Sequence, residues 1–133
     1  GSCPARPFGA QRVNYERGLR QAARVGYLRK GAMPEPIRRE FGIALSVAQH
    51  GGRHAAAKPW KGEGSGVFEV VGDHVGDTFR AVYTVRFRHA VYVLHCFQKK
   101  SPSGIRTARP DIERIHERLM AARADYEARY GED

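Results

Sequence analysis

The feature that most constrains the fold is an apolar stretch over residues 78–100, TFRAVYTVRFRHAVYVLHCFQKK. It divides into two strand patterns, over residues 78–88 and 90–98, with Arg88 and His89 at the expected turn. The second pattern is apolar at nearly every position, which predicts a central strand covered on both faces. The stretch therefore predicts two neighbouring antiparallel strands.

The same stretch places cations at defined points of the expected sheet. Arg80 stands near the start of the first strand, and Lys99 and Lys100 stand at the exit of the second. Successive side chains of a strand face opposite sides of the sheet, so strand residues hold such charges in fixed directions. The first strand has Phe79, Ala81, Tyr83, Val85 and Phe87 on one predicted face, and Arg80, Val82, Thr84, Arg86 and Arg88 on the other.

Three helices and further strands complete the prediction. Helices are expected over residues 15–30, 35–50 and 111–130, the first weakened by two glycines and the second opened by prolines. A strand is expected over residues 67–71, followed by a GDHVGD turn, and residues 53–66 are expected to form a loop. Residues 10–14 suit a short additional strand. The last helix has a predicted buried stripe of Ile112, Ile115, Leu119 and Ala122.

These elements predict an α+β fold. Its small antiparallel sheet has three to four strands, with two N-terminal helices and one C-terminal helix. At 133 residues the chain is long enough to bury a core as one domain, taken as residues 3–133, in which residues 3–33 form a basic N-terminal segment.

The charge favours a polyanionic partner. The formal net charge is +9 and the pI about 10.1. Residues 1–33 contain seven basic residues against one acidic residue, Glu16. A solvated helix face and a nucleic-acid surface both explain that surplus, and charge alone does not separate them.

Cysteine content and hydropathy favour a cytoplasmic protein. Cys3 lies near a terminus and Cys96 lies inside a predicted strand, so the two do not form a disulfide framework. No run approaches the roughly 18 apolar residues that a membrane helix requires, and no signal-peptide pattern is visible. We therefore expect a reducing compartment and no membrane association.

The motifs of several enzyme classes are missing from the sequence. Six histidines are scattered without metal-ligand spacing, and His95 and Cys96 are adjacent on a strand and must face opposite ways. GEGSG lacks the following lysine and helix of a phosphate-binding loop. No nucleophile elbow or dinucleotide fingerprint is present. We predict neither a metal nor a cofactor.

Basic residues remain as the main source of chemistry. Guanidinium groups grip phosphate bidentately and ammonium groups act as point charges. Together they can stabilise the phosphorane that forms when a ribose 2′-hydroxyl attacks its own phosphodiester, with a proton donor and acceptor nearby. The candidates at predicted strand ends and loops are Arg80, Lys99, Lys100, Arg106, Arg109, Lys58 and Lys61.

Each candidate also has a structural interpretation. Arg86 and Arg88 suit edge charges that discourage aggregation, and the lysine pair suits a solvated strand exit. His95 suits a strand histidine satisfied by a neighbour, and Trp60 suits an anchor for its loop. Glu69 is either a general base or the polar residue of a half-exposed strand.

A family resemblance attaches to FRAVYTVRFRHAVYVLHCFQKKS, the later PDIERIHERL and the upstream KPWKGEGSGVFEV. These segments resemble the phage-derived HigB-type branch of the RelE toxin superfamily, over about residues 34–123. The resemblance implies a compact α+β toxin that cleaves messenger RNA in the A site of the 30S ribosomal subunit without a metal. It also implies a helix-turn-helix antitoxin as partner.

The resemblance also implies roles for individual residues. Arg80 matches the arginine of an aromatic-Arg-x-x-Tyr strand that contacts phosphate, and Lys99 and Lys100 match the basic pair at the strand exit. The C-terminal tyrosine or histidine of RelE-like nucleases has no counterpart in SPSGIRTARP. Either Glu69, His95 or a loop lysine is then expected to substitute for it in proton transfer, or the catalytic activity is expected to be weak. Lys58, Lys61, Arg106 and Arg109 are expected to bind RNA.

Two other functions stay open at the level of sequence. A toxin of the same fold that poisons gyrase would damage DNA and leave messenger RNA intact. A basic RNA-binding module would lack toxicity. The leading hypothesis is a ribosome-dependent endoribonuclease toxin.

Overall fold

The computed structural model describes residues 11–14, 33–88, 90–99 and 109–131. The predicted helix over residues 15–30 lies outside these ranges. Two helices are present in the part of the chain that is described, and they match the second and third predicted helices. The elements are β1 (Gln11–Asn14), α1 (Glu35–Gln49), β2 (Ala57–Pro59), β3 (Val67–His74), β4 (Asp77–Thr84), β5 (Ala90–Lys99) and α2 (Arg109–Tyr130).

The strands form a single antiparallel sheet in the order β1-β5-β4-β3-β2. The two long apolar strands β4 and β5 lie inside it, as the sequence predicts, and β1 confirms the short strand near residues 10–14. The sheet has five strands among the described residues, one more than the upper end of the predicted three to four. Residues 57–59, expected to be part of a loop, pair with β3 and form an edge strand.

Helix α1 covers one face of the sheet. It begins after Pro34, whose carbonyl accepts from the amides of Ile37 and Arg38. Pro36 lies in the first turn, a position that suits proline because the first amides of a helix have no partner within it. The helix buries a stripe against apolar residues of β3, β4 and β5. The largest members of this core are Ile37, Phe41, Leu45, Val70, Phe79, Tyr83, Val91 and Val93.

Helix α2 covers the opposite face. Ile115, Leu119 and Ala122 are buried as predicted, whereas Ile112 is exposed and Tyr126 extends the stripe instead. Trp60 is buried in this core, which confirms it as the anchor of its loop. Phe87 also packs here rather than with Phe79 and Tyr83 on the α1 side, because β4 ends at Thr84 and the strict alternation ends with it.

A β-bulge divides β5. Tyr83 pairs with Val93, but Val82 pairs with His95, so Leu94 is the extra residue on β5. The bulge places the consecutive residues Leu94 and His95 on the α2 face. Beyond it, Phe97 faces the α2 side and Cys96 the α1 side, which confirms that His95 and Cys96 face opposite ways.

The β3–β4 hairpin closes through two residues, Val75 and Gly76, at φ 49° and 81°. Two central residues with positive φ form the turn type that matches strand twist. The predicted turn over GDHVGD was therefore too long. Gly72 lies inside β3, and a Cβ at this position would stand 2.9 Å from Ile37 Cδ1. Close approach of α1 explains this glycine.

Candidate anion-binding site

Four charged residues form a diagonal row across the α2 face of the sheet. Lys58 on β2 pairs directly with Glu69 on β3. Arg80 on β4 lies opposite Val71, two residues along β3 from Glu69, and Lys99 on β5 lies opposite Thr78, two residues along β4 from Arg80. Such diagonal neighbours are within reach of long side chains. The fold thus gathers three cations and one carboxylate, a net of two positive charges.

The centre of this row is an ion pair. Arg80 Nη1 donates to Glu69 Oε2 across 3.4 Å, and each side chain is 12% exposed. A guanidinium at this depth requires a charged or polar partner, because burial without one is costly. Lys58 is exposed beside this pair. The row therefore combines a half-buried arginine with one exposed lysine, Lys58, and one partly buried lysine, Lys99.

Lys99 lies at the end of β5 under the influence of the same row. Desolvation lowers the pKa of its ammonium, and repulsion from Arg80 and Lys58 lowers it further against the opposing attraction of Glu69. A lysine with a lowered pKa gives up a proton more readily at neutral pH. The neighbouring charges of the row therefore act directly on the Lys99 ammonium.

His95 lies on the same face, but both of its ring nitrogens contact side chains of α2. Its Nε2 lies 2.9 Å from Asp111 Oδ1, and Arg118 Nη1 donates to its Nδ1 across 2.9 Å. Because arginine only donates, Nδ1 accepts and the proton belongs on Nε2. Desolvation lowers the pKa of His95, the hydrogen bond that its ring donates to Asp111 opposes this, and Arg118 and Arg114 lower the pKa further. This geometry favours the structural interpretation of His95 over proton transfer with a substrate.

Arg86 holds the loop between β2 and β3, which sequence analysis did not anticipate. Its guanidinium donates to the backbone carbonyls of Glu63 and Ser65. Gly66 lies against it, since a Cβ there would stand 3.2 Å from Arg86 Cα and Cβ. The interpretation of Arg86 as a plain edge charge was therefore wrong. The glycine-rich loop over residues 62–66 offered a sequence signal, because backbone carbonyls of such a loop require donors and arginine supplies several.

The remaining predicted RNA contacts differ in position. Lys61 is exposed in the loop that Arg86 holds, and Arg109 is exposed at the start of α2, 3.7 Å from Glu113. Lys100 and Arg106 lie outside the described residues. The structure therefore brings Lys58, Glu69, Arg80 and Lys99 together, whereas the placement of Lys61 and Arg109 in the same site stays a prediction.

The α1 side of the strands contributes core residues rather than reactive ones. Tyr83, the tyrosine of the aromatic-Arg-x-x-Tyr strand, packs there, on the face opposite Arg80. Burial raises the pKa of Tyr83 to about 12, although Arg53 opposes the shift. Burial also raises the pKa of the Cys96 thiol, with Arg118 opposing. Both groups are held in their neutral, unreactive forms.

The comparison with protein families gives the family of the chain. The family model described as "Phage derived protein Gp49-like (DUF891)" matches residues 31–120, more than half of the 133 residues. The chain belongs to the Gp49-like family. This family is part of the RelE/HigB-type group of toxins and is associated with toxin–antitoxin systems. The curated proteins and the solved structures contain no match.

The Gp49-like match contains the whole charged row. Lys58, Glu69, Arg80 and Lys99 all lie between residues 31 and 120, as do α1 and the β2–β5 part of the sheet. Most of the basic N-terminal segment lies outside the match. Among the described residues, no three His, Cys, Asp or Glu side chains cluster in a way that could hold a metal ion. Neither described helix is long and apolar enough to cross a membrane.

Proposed function

We propose that this Gp49-like protein is the toxin of a toxin–antitoxin pair and cleaves messenger RNA on the ribosome. The observation that carries the proposal is the diagonal row, in which Lys58, Arg80 and Lys99 converge around one carboxylate. A phosphodiester is the common biological anion that such a set fits. The net charge of +9 supports a nucleic-acid partner.

The proposed reaction is an internal transfer at phosphorus. The ribose 2′-oxygen attacks the adjacent phosphate, the bond from phosphorus to the leaving 5′-oxygen breaks, and a 2′,3′-cyclic phosphate remains. A base accepts the proton of the 2′-hydroxyl, and an acid gives a proton to the 5′-oxygen, so the balance closes. Arg80 stabilises the charge that develops on the phosphorane, and Lys99 supplies the proton to the leaving group.

The remaining parts of the proposal concern partners and location. A ribosomal substrate requires action in the cytoplasm, and the 30S A site is the proposed location of the messenger RNA. The association of the family with toxin–antitoxin systems supports an antitoxin partner, for which we propose a helix-turn-helix protein. Lys100, Arg106, Lys61 and Arg109 are proposed to contact the RNA outside the row.

The test is induction of the chain in bacteria, followed by mapping of messenger RNA ends. We expect growth arrest with new RNA ends for the wild type. Lys99→Ala, Lys100→Ala and Arg80→Gln should relieve arrest and reduce the cut ends in parallel. Lys99→Ala is the cleanest variant of the row because it leaves the Glu69–Arg80 pair intact.

The matched control is Arg39→Ala. Arg39 is an exposed arginine on α1, which covers the other face of the sheet, and it pairs with Glu35 within the same helix. It should arrest growth like the wild type. Intact messenger RNA with a DNA-damage response would instead indicate gyrase poisoning. A harmless inducible protein would indicate a binding module, and undiminished arrest in all three variants would overturn the site.

A further inference from the structure

Glu69 is an unexpected residue for the middle of a phosphate site. It lies directly opposite Lys58 in the β2–β3 pair and accepts from Arg80 on its other side. A carboxylate repels phosphate, so the row carries a charge that opposes its proposed ligand. The same carboxylate compensates Arg80 while no ligand is bound, since both side chains are 12% exposed.

The geometry of the Arg80–Glu69 pair suits replacement of Glu69 by a phosphate. The 3.4 Å between Arg80 Nη1 and Glu69 Oε2 exceeds the roughly 2.7–2.9 Å of the tightest charge-assisted hydrogen bonds. A phosphate offers the guanidinium two oxygens at once and is closely matched to its planar fork. A phosphate held also by Lys58 and Lys99 can therefore replace Glu69 at Arg80.

We infer that Glu69 is the resident counter-anion of the site, which occupies Arg80 in the free protein and yields it to a substrate phosphodiester. This inference rests on the proposed function for the identity of the ligand. It makes Glu69 a positioning residue that acts through Arg80. Exchange also leaves the Glu69 carboxylate without Arg80 at the moment when the 2′-hydroxyl requires a proton acceptor.

A matched residue separates this role from a general effect of charge. Glu63 is also a half-buried glutamate, with a side chain 10% exposed, but it pairs with His116 on α2 rather than with the row. Glu63→Gln and Glu69→Gln change the net charge equally and keep the side-chain shape. A difference between them reports position rather than total charge.

The experiment measures binding of an RNA oligonucleotide whose 2′-oxygens are methylated, so that it binds but cannot be cut. We expect Glu69→Gln to bind about fivefold tighter than wild type, a change in the range of single-charge effects at partly exposed sites. The slope of log affinity against log salt should stay close to that of the wild type, because Arg80 contacts the phosphate in both complexes. Glu63→Gln should change neither quantity appreciably.

A double-variant cycle tests whether Glu69 acts through Arg80. In an Arg80→Gln background, the gain from Glu69→Gln should fall to that of Glu63→Gln. Thermal unfolding of every variant checks that the fold is retained. In the Arg80→Gln/Glu69→Gln variant both members of the ion pair are neutral, so neither leaves an unpaired charge in the site. Weaker or unchanged binding by Glu69→Gln overturns the inference, as does a full gain without Arg80.

The outcomes also separate this inference from the proposed function. If Glu69→Gln binds RNA more tightly through Arg80 but no cut messenger RNA ends appear in cells, the counter-anion role of Glu69 stands and the proposed nuclease activity is wrong. If cut messenger RNA ends appear but the RNA affinity of Glu69→Gln is unchanged or weaker, the proposed nuclease activity stands and the counter-anion role of Glu69 is wrong.

Discussion

Asp111 in the first turn of α2 lies 2.9 Å from His95 Nε2 on β5, so one hydrogen bond joins the last helix to the centre of the sheet. Arg118, two turns later, donates to the other ring nitrogen. The imidazole stacks on Phe97 with ring centroids 4.7 Å apart. His95 is thus held neutral, with one defined tautomer, between a sheet and a helix.

The first prediction is a pH dependence of stability that originates at His95. Its folded pKa is lowered, so as pH falls through about 6.5 the unfolded chain takes up a proton that the folded chain does not. Stability should therefore be complete above that pH and decline below it. His95→Gln should flatten this decline in urea unfolding at stepped pH. His50→Gln, at the exposed end of α1, is the control, and an equally flat response there would contradict the assignment.

The second prediction concerns the close contact between α1 and β3. Gly72→Ala places a Cβ 2.9 Å from Ile37 Cδ1, so we expect a loss of about 1–2 kcal/mol from overpacking. Ile37→Val removes that methyl, and the double variant should lose less than the sum of the single losses. Gly42→Ala, with open space around it on α1, should instead stabilise by up to about 1 kcal/mol. Additive losses in chemical denaturation would argue against the contact.

The third prediction is a stabilising change in the hairpin. Val75 is β-branched, 85% exposed and at φ 49°, a conformation that such residues adopt at a cost. Val75→Asn creates the favoured Asn-Gly turn and should raise stability by about 1 kcal/mol. Val75→Thr removes exposed apolar surface but keeps the branch, so its melting temperature should stay near that of the wild type. An equal gain from threonine would mean that strain is not the cause.

The fourth prediction concerns the loop that Arg86 holds. Lysine cannot reproduce the fork that reaches two carbonyls, so Arg86→Lys should lower the free energy of unfolding by about 1–2 kcal/mol. It should also speed proteolysis in residues 61–66. Arg88→Lys, an exposed neighbour, should change stability by less than about 0.5 kcal/mol. Equal effects of the two variants would remove the special role of Arg86.

The fifth prediction assigns RNA binding to one face of the sheet. Lys99→Ala should reduce the slope of log affinity against log salt by about 0.7 for a single strand, because one phosphate contact is lost. Arg39→Ala, on the α1 side, should leave the slope unchanged although it removes the same charge. Equal reductions would mean that RNA responds to total charge and not to the row.

Most of the fold was predictable because hydrophobic periodicity indicates its longer helices and strands. The strands β4 and β5 and helices α1 and α2 follow from apolar spacing alone. The edge strand β2 did not, since Ala57–Pro59 is short, contains a proline and has no alternation long enough to detect. Its pairing with β3 is a tertiary event, and with it the position of Lys58 beside Glu69 was missed.

The candidate site was predictable in its residue types but not in its pairings. Arg80, Glu69 and Lys99 were selected as strand residues of suitable chemistry, yet their mutual contacts depend on register, which a single sequence leaves free. The partners of His95 illustrate the same limit. Asp111 stands in the first turn of the last predicted helix, where the helix dipole already favours a carboxylate, whereas the structure also uses it as the hydrogen-bond acceptor of His95, sixteen residues earlier.

The bulge at Leu94 has a consequence for how this surface can change. Even-numbered residues of β5 face α2 before it and odd-numbered residues face α2 after it, so one residue sets the parity of the strand's basic end. Strict alternation through every residue of β5 would place Lys99 on the α1 side, away from Arg80. The single extra residue therefore keeps the cationic end of β5 on the face that carries Glu69 and Arg80, and deleting Leu94 would restore a regular strand without moving Lys99 to the other side of the sheet.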